Sequence, residues 1–278
     1  MTDSVCRLLI IAGSDSSGGA GIQTDIATSR LMGVYPATTV SCITSQNSRG
    51  LRMIQPASPE IFRDQIESCL DDYTPDAVKV GMIPVESHIR ILTDIFSSHR
   101  LENIVVDPVM ASTAGGNDNL WREMWRNPDL IAGISSYVDL FTPNIPEFAV
   151  WSQSCRQNSC NDFDPSDWEA VSRTMRFFSM RNLLLKGGHD ESRNGFSTDI
   201  LVQSVSGNFE FSSISRRRLE SRNTHGTGCT LSTAIACRLA KGDTLYDAVK
   251  NAGDFLWNLL DANRNIKFYE NGHGPVII

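Results

Sequence analysis

The sequence predicts an α/β fold whose mostly parallel sheet is covered by helices on both faces. Short apolar runs alternate with segments of helical periodicity along most of its 278 residues. The runs are apolar at consecutive positions, which is typical of parallel strands buried on both faces. A turn signal at Gly207-Asn208 between two further runs adds an antiparallel hairpin at one edge of the sheet. Polar residues that follow the parallel strands are then the candidate site.

A glycine-rich turn separates the first two elements. Residues 6–12 are apolar and predict a strand, which stops at the turn 13–21. Ile22, Ile26 and Leu31 then recur near helical spacing and predict a helix. The remaining strands are predicted at 40–44, 77–80, 104–106, 138–141 and 183–185, and the hairpin joins 200–203 to 209–211. The remaining helices are predicted at 59–70, 85–96, 169–178, 231–241 and 244–262.

Two polar stretches are predicted to lie on the surface. Residues 151–165 are rich in Ser, Asn, Asp, Gln and Cys and lack periodicity, which favours an exposed loop. Cys155 and Cys160 lie close together there, but no histidines accompany them at zinc-finger spacing, so we expect two loop thiols. The run 216–218 is three arginines, which favour a solvated strand face, although one of them could reach a nucleotide.

Composition and charge argue against several classes of protein. With 41% hydrophobic residues and no obvious linker, residues 1–278 are expected to form one large domain. The net charge of −7 argues against nucleic acid or an anionic membrane as the main partner. The sequence has no apolar run of membrane-spanning length and no signal-like N-terminus, and its seven scattered cysteines suit free thiols. We therefore expect a soluble, cytoplasmic protein.

The stretch 223–230 has the chemistry of an anion site. Gly226 and Gly228 let the backbone approach a ligand closely, and Thr227 lies between them. The helix that follows directs unpaired N–H groups and a positive dipole end at whatever lies in front of it. Cys229 falls in its first turn, where the same field favours thiolate over thiol. The alternative is that the glycines only turn the chain and that Cys229 is a small buried residue.

Charged residues follow several of the predicted strands. Asp107 and Glu147 come after neighbouring strands, and two carboxylates near an anion site suit a magnesium–phosphate complex. Lys186 ends a strand and could contact phosphate as a point charge, and Asp25, early in the first helix, could orient a small ligand. Each of the four has a plainer alternative as a capping, turn or solvent-boundary residue. The loop 13–21 matches neither the Walker spacing nor the dinucleotide fingerprint, so alone it does not indicate a nucleotide.

Eight motifs lie in an order that is shared with one enzyme family. They are Ile11-Ala12-Gly13-Ser14-Asp15, Ser17-Gly18-Gly19-Ala20-Gly21-Ile22-Gln23, Gln46-Asn47, Gly81-Met82, Asp107-Pro108-Val109-Met110, Thr142-Pro143-Asn144-Ile145-Pro146-Glu147, Lys186-Gly187-Gly188-His189 and His225-Gly226-Thr227-Gly228-Cys229-Thr230-Leu231-Ser232. On these motifs the chain resembles the hydroxymethylpyrimidine/phosphomethylpyrimidine kinases of thiamin biosynthesis, a branch of the ribokinase-like superfamily. The matches cover nearly the whole chain. The resemblance implies a three-layer α/β/α sandwich and a homodimer.

The same resemblance implies an activity and a substrate pocket. Members use ATP to phosphorylate 4-amino-5-hydroxymethyl-2-methylpyrimidine and then its monophosphate, which gives the pyrophosphate. Gln46 would hydrogen-bond the aminopyrimidine. The other residues that would line the pocket are Gly13, Asp25, Met82 and Val109.

The phosphoryl-transfer residues follow from the resemblance in the same way. Cys229 stands where most of the superfamily has an aspartate base, and beside it Gly226, Thr227 and Gly228 would form the anion hole. Magnesium and its waters would be arranged by Asp107 and Glu147, and the ATP site would include Lys186, Asn144 and His225, the last as support for the loop. The chain departs from the usual pattern at Ala27, at Ala114-Gly115 and in a longer 151–165 stretch. These departures remove no assigned residue.

Three alternatives to the pyrimidine kinase remain. A pyridoxal kinase of the same superfamily is the nearest, although Gln46 and Met82 favour the pyrimidine. A non-catalytic binding protein is disfavoured because Cys229, Asp107 and Glu147 are all present. A cysteine hydrolase that uses Cys229 with His225 is disfavoured because the two lie four residues apart around a tight turn without an orienting partner.

Overall fold

The computed structural model describes residues 5–110, 124–155, 163–188, 195–269 and 274–278, in which nine strands form one sheet. The strands are β1 Arg7–Asp15, β2 Tyr35–Asn47, β3 Gly50–Pro56, β4 Ala77–Val80, β5 Ile104–Val106, β6 Leu140–Phe141, β7 Asn182–Leu185, β8 Phe196–Val205 and β9 Asn208–Arg217. The helices of these residues are α1 Gly21–Leu31, α2 Pro59–Asp72, α3 Glu86–Ser98, α4 Pro128–Ser135, α5 Ile145–Ser154, α6 Trp168–Phe177, α7 Thr227–Ala240 and α8 Leu245–Asn263, with a short 3-10 turn at Met124–Arg126. In the described residues no helix has both the length and the apolar character needed to cross a membrane.

The centre of the sheet is parallel and both of its edges are antiparallel hairpins. The strand order is β3-β2-β1-β4-β5-β6-β7-β8-β9. The pairs from β2 through β7 are parallel, whereas β3 runs antiparallel to β2, and β8 runs antiparallel to both β7 and β9. The predicted edge hairpin is therefore confirmed, and the hairpin at the other edge was not predicted.

Helices cover both faces of the sheet because its strands are apolar at consecutive positions. In β1, Leu9 and Ile11 pack with α2 to α6, and Leu8, Ile10 and Ala12 pack with α1, α7 and α8. The two clusters lie between the sheet and its two helical layers, which gives a three-layer α/β/α arrangement. The predicted fold class is confirmed.

Element boundaries agree best where the strands are fully buried. The predictions at 77–80 and 104–106 match β4 and β5 residue for residue. Helices α4 and α5 were not predicted. The turn of the β8–β9 hairpin is centred on Ser206 and Gly207, which both have positive φ, so Asn208 is already the first residue of β9 and not part of the turn.

Two surface predictions were wrong in part: one at Trp151, and the other at Arg216 but not at Arg217 and Arg218, which are exposed. The predicted loop 151–165 begins inside α5, where Trp151 is fully buried and its Nε1 donates to the Trp125 carbonyl at 2.7 Å. Residues 156–162 of that stretch, with Cys160, lie outside the described residues, as do Ala114-Gly115 and His189. The Arg216 side chain is only 13% exposed and pairs with carboxylates, because β9 packs against α8 there.

Candidate active site

The carboxyl ends of the parallel strands surround a cavity of about 1160 Å³. Open α/β sheets bind ligands in the crevice outside the carboxyl ends of their strands, and the cavity lies there. All but one of the predicted site residues line it: Gly13, Gln46, Met82, Asp107, Val109, Asn144, Glu147, Lys186, His225, Gly226, Thr227, Gly228 and Cys229. The exception is Asp25.

The glycine turn places the start of α7 at the cavity wall. Gly226 has φ of 85°, which is the left-handed region that favours glycine. A Cβ there would lie 2.1 Å from the Gly19 carbonyl oxygen, so the turn also needs the absence of a side chain. No side chain of the described residues caps α7. The Thr227 N–H donates to the Thr224 carbonyl at 3.3 Å, so the N–H groups of Gly228 and Cys229 are those that the start of the helix offers to a ligand in the cavity.

Cys229 is a thiol in the ligand-free protein, which corrects the predicted thiolate. Burial raises the pKa of its thiol to about 11, and the carboxylates of Asp25 and Asp107 act in the same direction. The Lys79 ammonium and the Gly21 N–H oppose this rise in pKa without cancelling it. The positive field of one helix terminus is smaller than the desolvation cost of a buried thiolate.

Lys186 and Asp107 form an ion pair beside the glycine turn. Lys186 Nζ donates to Asp107 Oδ1 at 2.7 Å, and the two side chains are 15% and 3% exposed. A Cβ on Gly228 would lie 3.4 Å from both Asp107 Oδ2 and Lys186 Nζ, so the pair contacts the turn. Burial alone would lower the pKa of Lys186, but Asp107 and Glu147 raise it, and the ammonium stays charged. A cation and an anion hole are thus adjacent.

Glu147 both caps a helix and borders the cavity. Its Oε2 accepts from the Asn144 N–H at 2.8 Å while Asn144 Oδ1 accepts from the Glu147 N–H, which is a capping box at the start of α5. Its Oε1 accepts from the Met110 N–H at 3.2 Å. Burial raises the pKa of Glu147 to about 7, with Lys186 opposing and Asp107 reinforcing the rise.

The carboxylates suit magnesium that arrives with a phosphate ligand. The described residues contain no group of three or more His, Cys, Asp or Glu side chains that could hold a metal alone. Among the described residues, Asp107 Oδ2 accepts only a long hydrogen bond of 3.4 Å, from the Ser232 hydroxyl, so it keeps acceptor capacity toward the cavity. Magnesium commonly takes one or two carboxylates together with substrate phosphates and waters. The donor set fits that mode.

His225 and Asp15 form a polar cluster with Gln46. His225 Nε2 lies 2.9 Å from Asp15 Oδ2 and 3.4 Å from Gln46 Nε2. Burial would raise the pKa of Asp15, but hydrogen bonds from His225 and from the N–H and hydroxyl of Ser17 hold that pKa below its ordinary value. Sequence reasoning assigned no role to Asp15. Its position directly after the apolar core of the first strand was the available signal.

Asp25 lies behind the cavity and does not line it. Its carboxylate has no exposed surface, because Oδ2 accepts from Lys79 Nζ at 2.7 Å and Oδ1 accepts from the Thr233 hydroxyl at 2.7 Å. Lys79 is equally buried and reaches the cavity wall. Residues of helix α7 and strand β4 cover the carboxylate in the ligand-free protein, and the expected contact of Asp25 with a ligand stays a prediction. Lys79 was missed, although a lysine within an apolar run is a recognisable signal.

The comparisons with known proteins agree with this geometry. A profile of the phosphomethylpyrimidine kinase family matches residues 15–277. The hydroxymethylpyrimidine/phosphomethylpyrimidine kinase of Rhizobium meliloti is 37% identical over 96% of this chain and 95% of its own length. The chloroplastic thiamine biosynthetic bifunctional enzyme of Arabidopsis thaliana is 33% identical over 98% of this chain. The chain spans about half the length of the bifunctional relatives, including 49% of the Arabidopsis enzyme.

Solved structures extend the likeness to the fold. The ADP complex of Bacillus subtilis pyridoxal kinase matches with a TM-score of 0.77 at 25% identity and covers 98% of this chain and 96% of that one. The three-layer ribokinase-like architecture expected from the sequence is confirmed. The family profile and the relatives together establish that the chain belongs to the phosphomethylpyrimidine kinase family.

Proposed function

We propose that this chain is an ATP-dependent kinase that phosphorylates 4-amino-5-hydroxymethyl-2-methylpyrimidine and then its monophosphate. The observation that carries the proposal is one cavity shared by the uncapped start of α7, the Lys186–Asp107 pair and the Gln46 cluster. It combines an anion hole and a cation with a polar pocket for a small heterocycle. Relatives that are hydroxymethylpyrimidine/phosphomethylpyrimidine kinases support the pyrimidine as substrate.

The substrate's ring binds against Gln46, Met82 and Val109, which line one part of the cavity. Its hydroxymethyl oxygen then points toward the N-terminus of α7. Backbone N–H groups of the turn Gly226 to Gly228 donate to the oxygens of the transferred phosphoryl group and stabilise the negative charge that builds up there. Phosphoryl transfer depends mainly on positioning and charge stabilisation, and this arrangement supplies both.

ATP and magnesium occupy the charged end of the cavity. Lys186 contacts the ATP phosphates, with Asn144 beside it, because the Asn144–Lys186 bridge holds these strand ends together. Asp107 and Glu147 would hold magnesium, in part through waters, and the metal would neutralise phosphate charge. His225 supports the glycine turn, since its backbone pairs with Gly274 and Val276 and its ring is fixed by Asp15.

Cys229 is the base for the first phosphorylation. The Cys229 thiol first releases its proton to water, and the buried Lys79 ammonium favours the resulting thiolate. As the substrate oxygen attacks phosphorus and ADP leaves, the hydroxyl proton moves to Cys229 Sγ. The second phosphorylation uses a phosphate monoester, which is already an anion and needs no base. Cys229→Ala should therefore impair the first step much more than the second, and equal losses would contradict the base role.

Pyridoxal kinase is the second candidate, because the Bacillus subtilis pyridoxal kinase shares the fold at a TM-score of 0.77. A coupled ADP-release assay with magnesium and ATP separates the two candidates when it compares hydroxymethylpyrimidine, its monophosphate and pyridoxal at equal concentrations. Turnover of both pyrimidines well above pyridoxal is the expected result. Faster turnover of pyridoxal, or an inert monophosphate, would move the substrate assignment to vitamin B6.

Oligomeric state and location belong to the same proposal. The family resemblance supports a homodimer, and light scattering on the purified protein tests it. A cytoplasmic location is supported by free thiols at Cys6, Cys42, Cys69, Cys155, Cys229 and Cys237, which suit a reducing compartment. Fractionation of the source cells tests the location.

A further inference from the structure

Arg216, on strand β9, makes two contacts with helix α8 and one with strand β8. Its Nε donates to Asp254 Oδ1 at 2.9 Å, and its Nη2 donates to the Lys250 carbonyl at 2.6 Å. Its Nη1 lies 3.6 Å from Asp199 Oδ2 on the neighbouring strand β8. The guanidinium fork thus joins β8, β9 and α8, which a single-point ammonium would not do as well.

The surface of α8 is shaped to receive this guanidinium. A Cβ on Gly253 would lie 2.3 Å from Arg216 Cζ and 2.4 Å from both terminal nitrogens. Only glycine leaves room for the fork to lie flat against the helix at this point. The contact therefore has a specific geometry, unlike the mobile ion pairs of a solvated surface.

Asp199 extends the contact to the turn that carries Lys186. Its Oδ1 accepts from the Gly187 N–H at 2.9 Å, and its side chain is 15% exposed. A Cβ on Gly187 would lie 1.9 Å from the Thr198 carbonyl oxygen, so the turn packs directly on β8. An unbroken series of contacts runs from α8 through Arg216 and Asp199 to the residue that follows Lys186.

We propose that Arg216 and Asp199 are positioning residues that hold the turn Lys186–Gly188 in place for the phosphates of ATP. The inference rests on the proposed function, because it assumes that Lys186 binds ATP. Asp199 and Arg216 also line the cavity. They act through the Lys186 turn, and they lie on elements other than those that hold Gln46, Met82 and Val109. Loss of either residue should therefore weaken ATP binding and leave pyrimidine binding intact.

The test measures the Kd for magnesium-ATP by calorimetry without pyrimidine, and the KM for each substrate. Arg216→Met and Asp199→Ala should each raise the Kd and KM for ATP about tenfold, as when one ordering hydrogen bond is lost, with the KM for the pyrimidine unchanged. Asp199→Asn keeps an acceptor for the Gly187 N–H and should recover most of the affinity. The double variant should bind no worse than either single variant, since both act in one series of contacts.

Arg181→Met is the matched control, because Arg181 pairs with Asp139 at 3.0 Å away from the cavity and is 56% exposed. It should leave the Kd for ATP unchanged. If Arg216→Met does not fold, Arg216→Lys and Asp254→Asn test the inference in its place. Each should raise the Kd for ATP, by less than the tenfold expected for Arg216→Met. Unchanged ATP affinity in folded variants, additive losses, or an equal rise in the KM for the pyrimidine would overturn the inference. A wild-type protein that binds no ATP would instead overturn the proposed function.

Discussion

Two lysine–carboxylate pairs with the same separation lie near the start of α7 in different surroundings. Lys79 Nζ and Lys186 Nζ are each 2.7 Å from a carboxylate oxygen, of Asp25 and Asp107 respectively. Neither side chain of the first pair has exposed surface, whereas Lys186 is 15% exposed. The second carboxylate oxygen of Asp25 accepts a 2.7 Å hydrogen bond from the Thr233 hydroxyl. The second oxygen of Asp107 accepts a longer hydrogen bond of 3.4 Å, from the Ser232 hydroxyl.

The comparison teaches that pair geometry does not separate a structural ion pair from a functional one. Burial and the remaining hydrogen-bonding capacity separate them. Both carboxylate oxygens of Asp25 accept hydrogen bonds from within the protein, and the Lys79–Asp25 pair supports α7 from behind. The Lys186–Asp107 pair keeps polar capacity directed at the cavity, where a phosphate and a metal can use it.

The largest effect is expected from breaking the buried pair. Lys79→Met leaves Asp25 as an uncompensated buried charge, which typically costs ~3–5 kcal/mol of unfolding free energy. Urea unfolding measures that loss. Lys79→Met combined with Asp25→Asn should recover most of it, because no buried charge remains and Thr233 keeps an acceptor. A double variant as unstable as Lys79→Met alone would contradict the assignment of a structural pair.

Breaking the cavity pair should act on activity more than on stability. Lys186→Met removes a cation from the transferred phosphate, and loss of one such stabilising group typically lowers kcat by ~10²–10³. The free energy of unfolding should fall by less than for Lys79→Met, since Asp107 borders an open cavity. Steady-state kinetics with urea unfolding measures both. Lys241→Met, at the far end of α7, is the control and should keep wild-type kcat; equal losses of stability in both lysine pairs would remove the contrast.

Strands and helices were predicted correctly from the sequence where they are buried and where local residues mark their ends. Strands β4 and β5 were predicted residue for residue because both are short buried runs, apolar except for Lys79 in β4, and they stop at Gly81 and Asp107. Strand β3 was missed because an edge strand carries no continuous apolar run, and Met53 within it is exposed. Helix α5 was missed because its capping box at Asn144 and Glu147 also fits a magnesium motif.

The candidate site was predictable where chemistry is local and not where it depends on packing. Short sequence motifs predict the glycine turn at Gly226 and the charged residues that follow the strands, such as Asp107 and Lys186. The burial of Asp25 depends on α7 and β4, which are distant in sequence. The pKa of Cys229 depends on burial and on charges from three other elements, which no motif around residue 229 encodes.

Alkylation of Cys229 sharpens the comparison, because the Lys79 ammonium stabilises the Cys229 thiolate while burial disfavours it. The thiol pKa is raised from an ordinary 9.0 to about 11, so the thiolate fraction at neutral pH is about 100-fold lower than for an exposed thiol. As pH rises toward 11 the thiolate forms, and iodoacetamide should label Cys229 about tenfold faster per pH unit. Peptide mass spectrometry follows residue 229, with N-acetylcysteine as the control. Fast labelling of Cys229 at pH 7 would instead support the prediction that its side chain is a thiolate at neutral pH.

The smallest effect is expected from an ion pair of similar geometry on the surface. Arg90 Nε donates to Glu86 Oε1 at 2.9 Å on α3, with side chains 66% and 49% exposed. Water and salt screen such a pair, so Arg90→Ala should change the free energy of unfolding by no more than about 0.5 kcal/mol. The higher helix propensity of alanine offsets part of even that loss. The difference in melting temperature between the wild-type protein and Arg90→Ala, measured at low salt, should vanish at about 1 M salt, where the Debye length falls to about 3 Å. A loss comparable to that of Lys79→Met, persisting at high salt, would mean that burial does not order the three pairs.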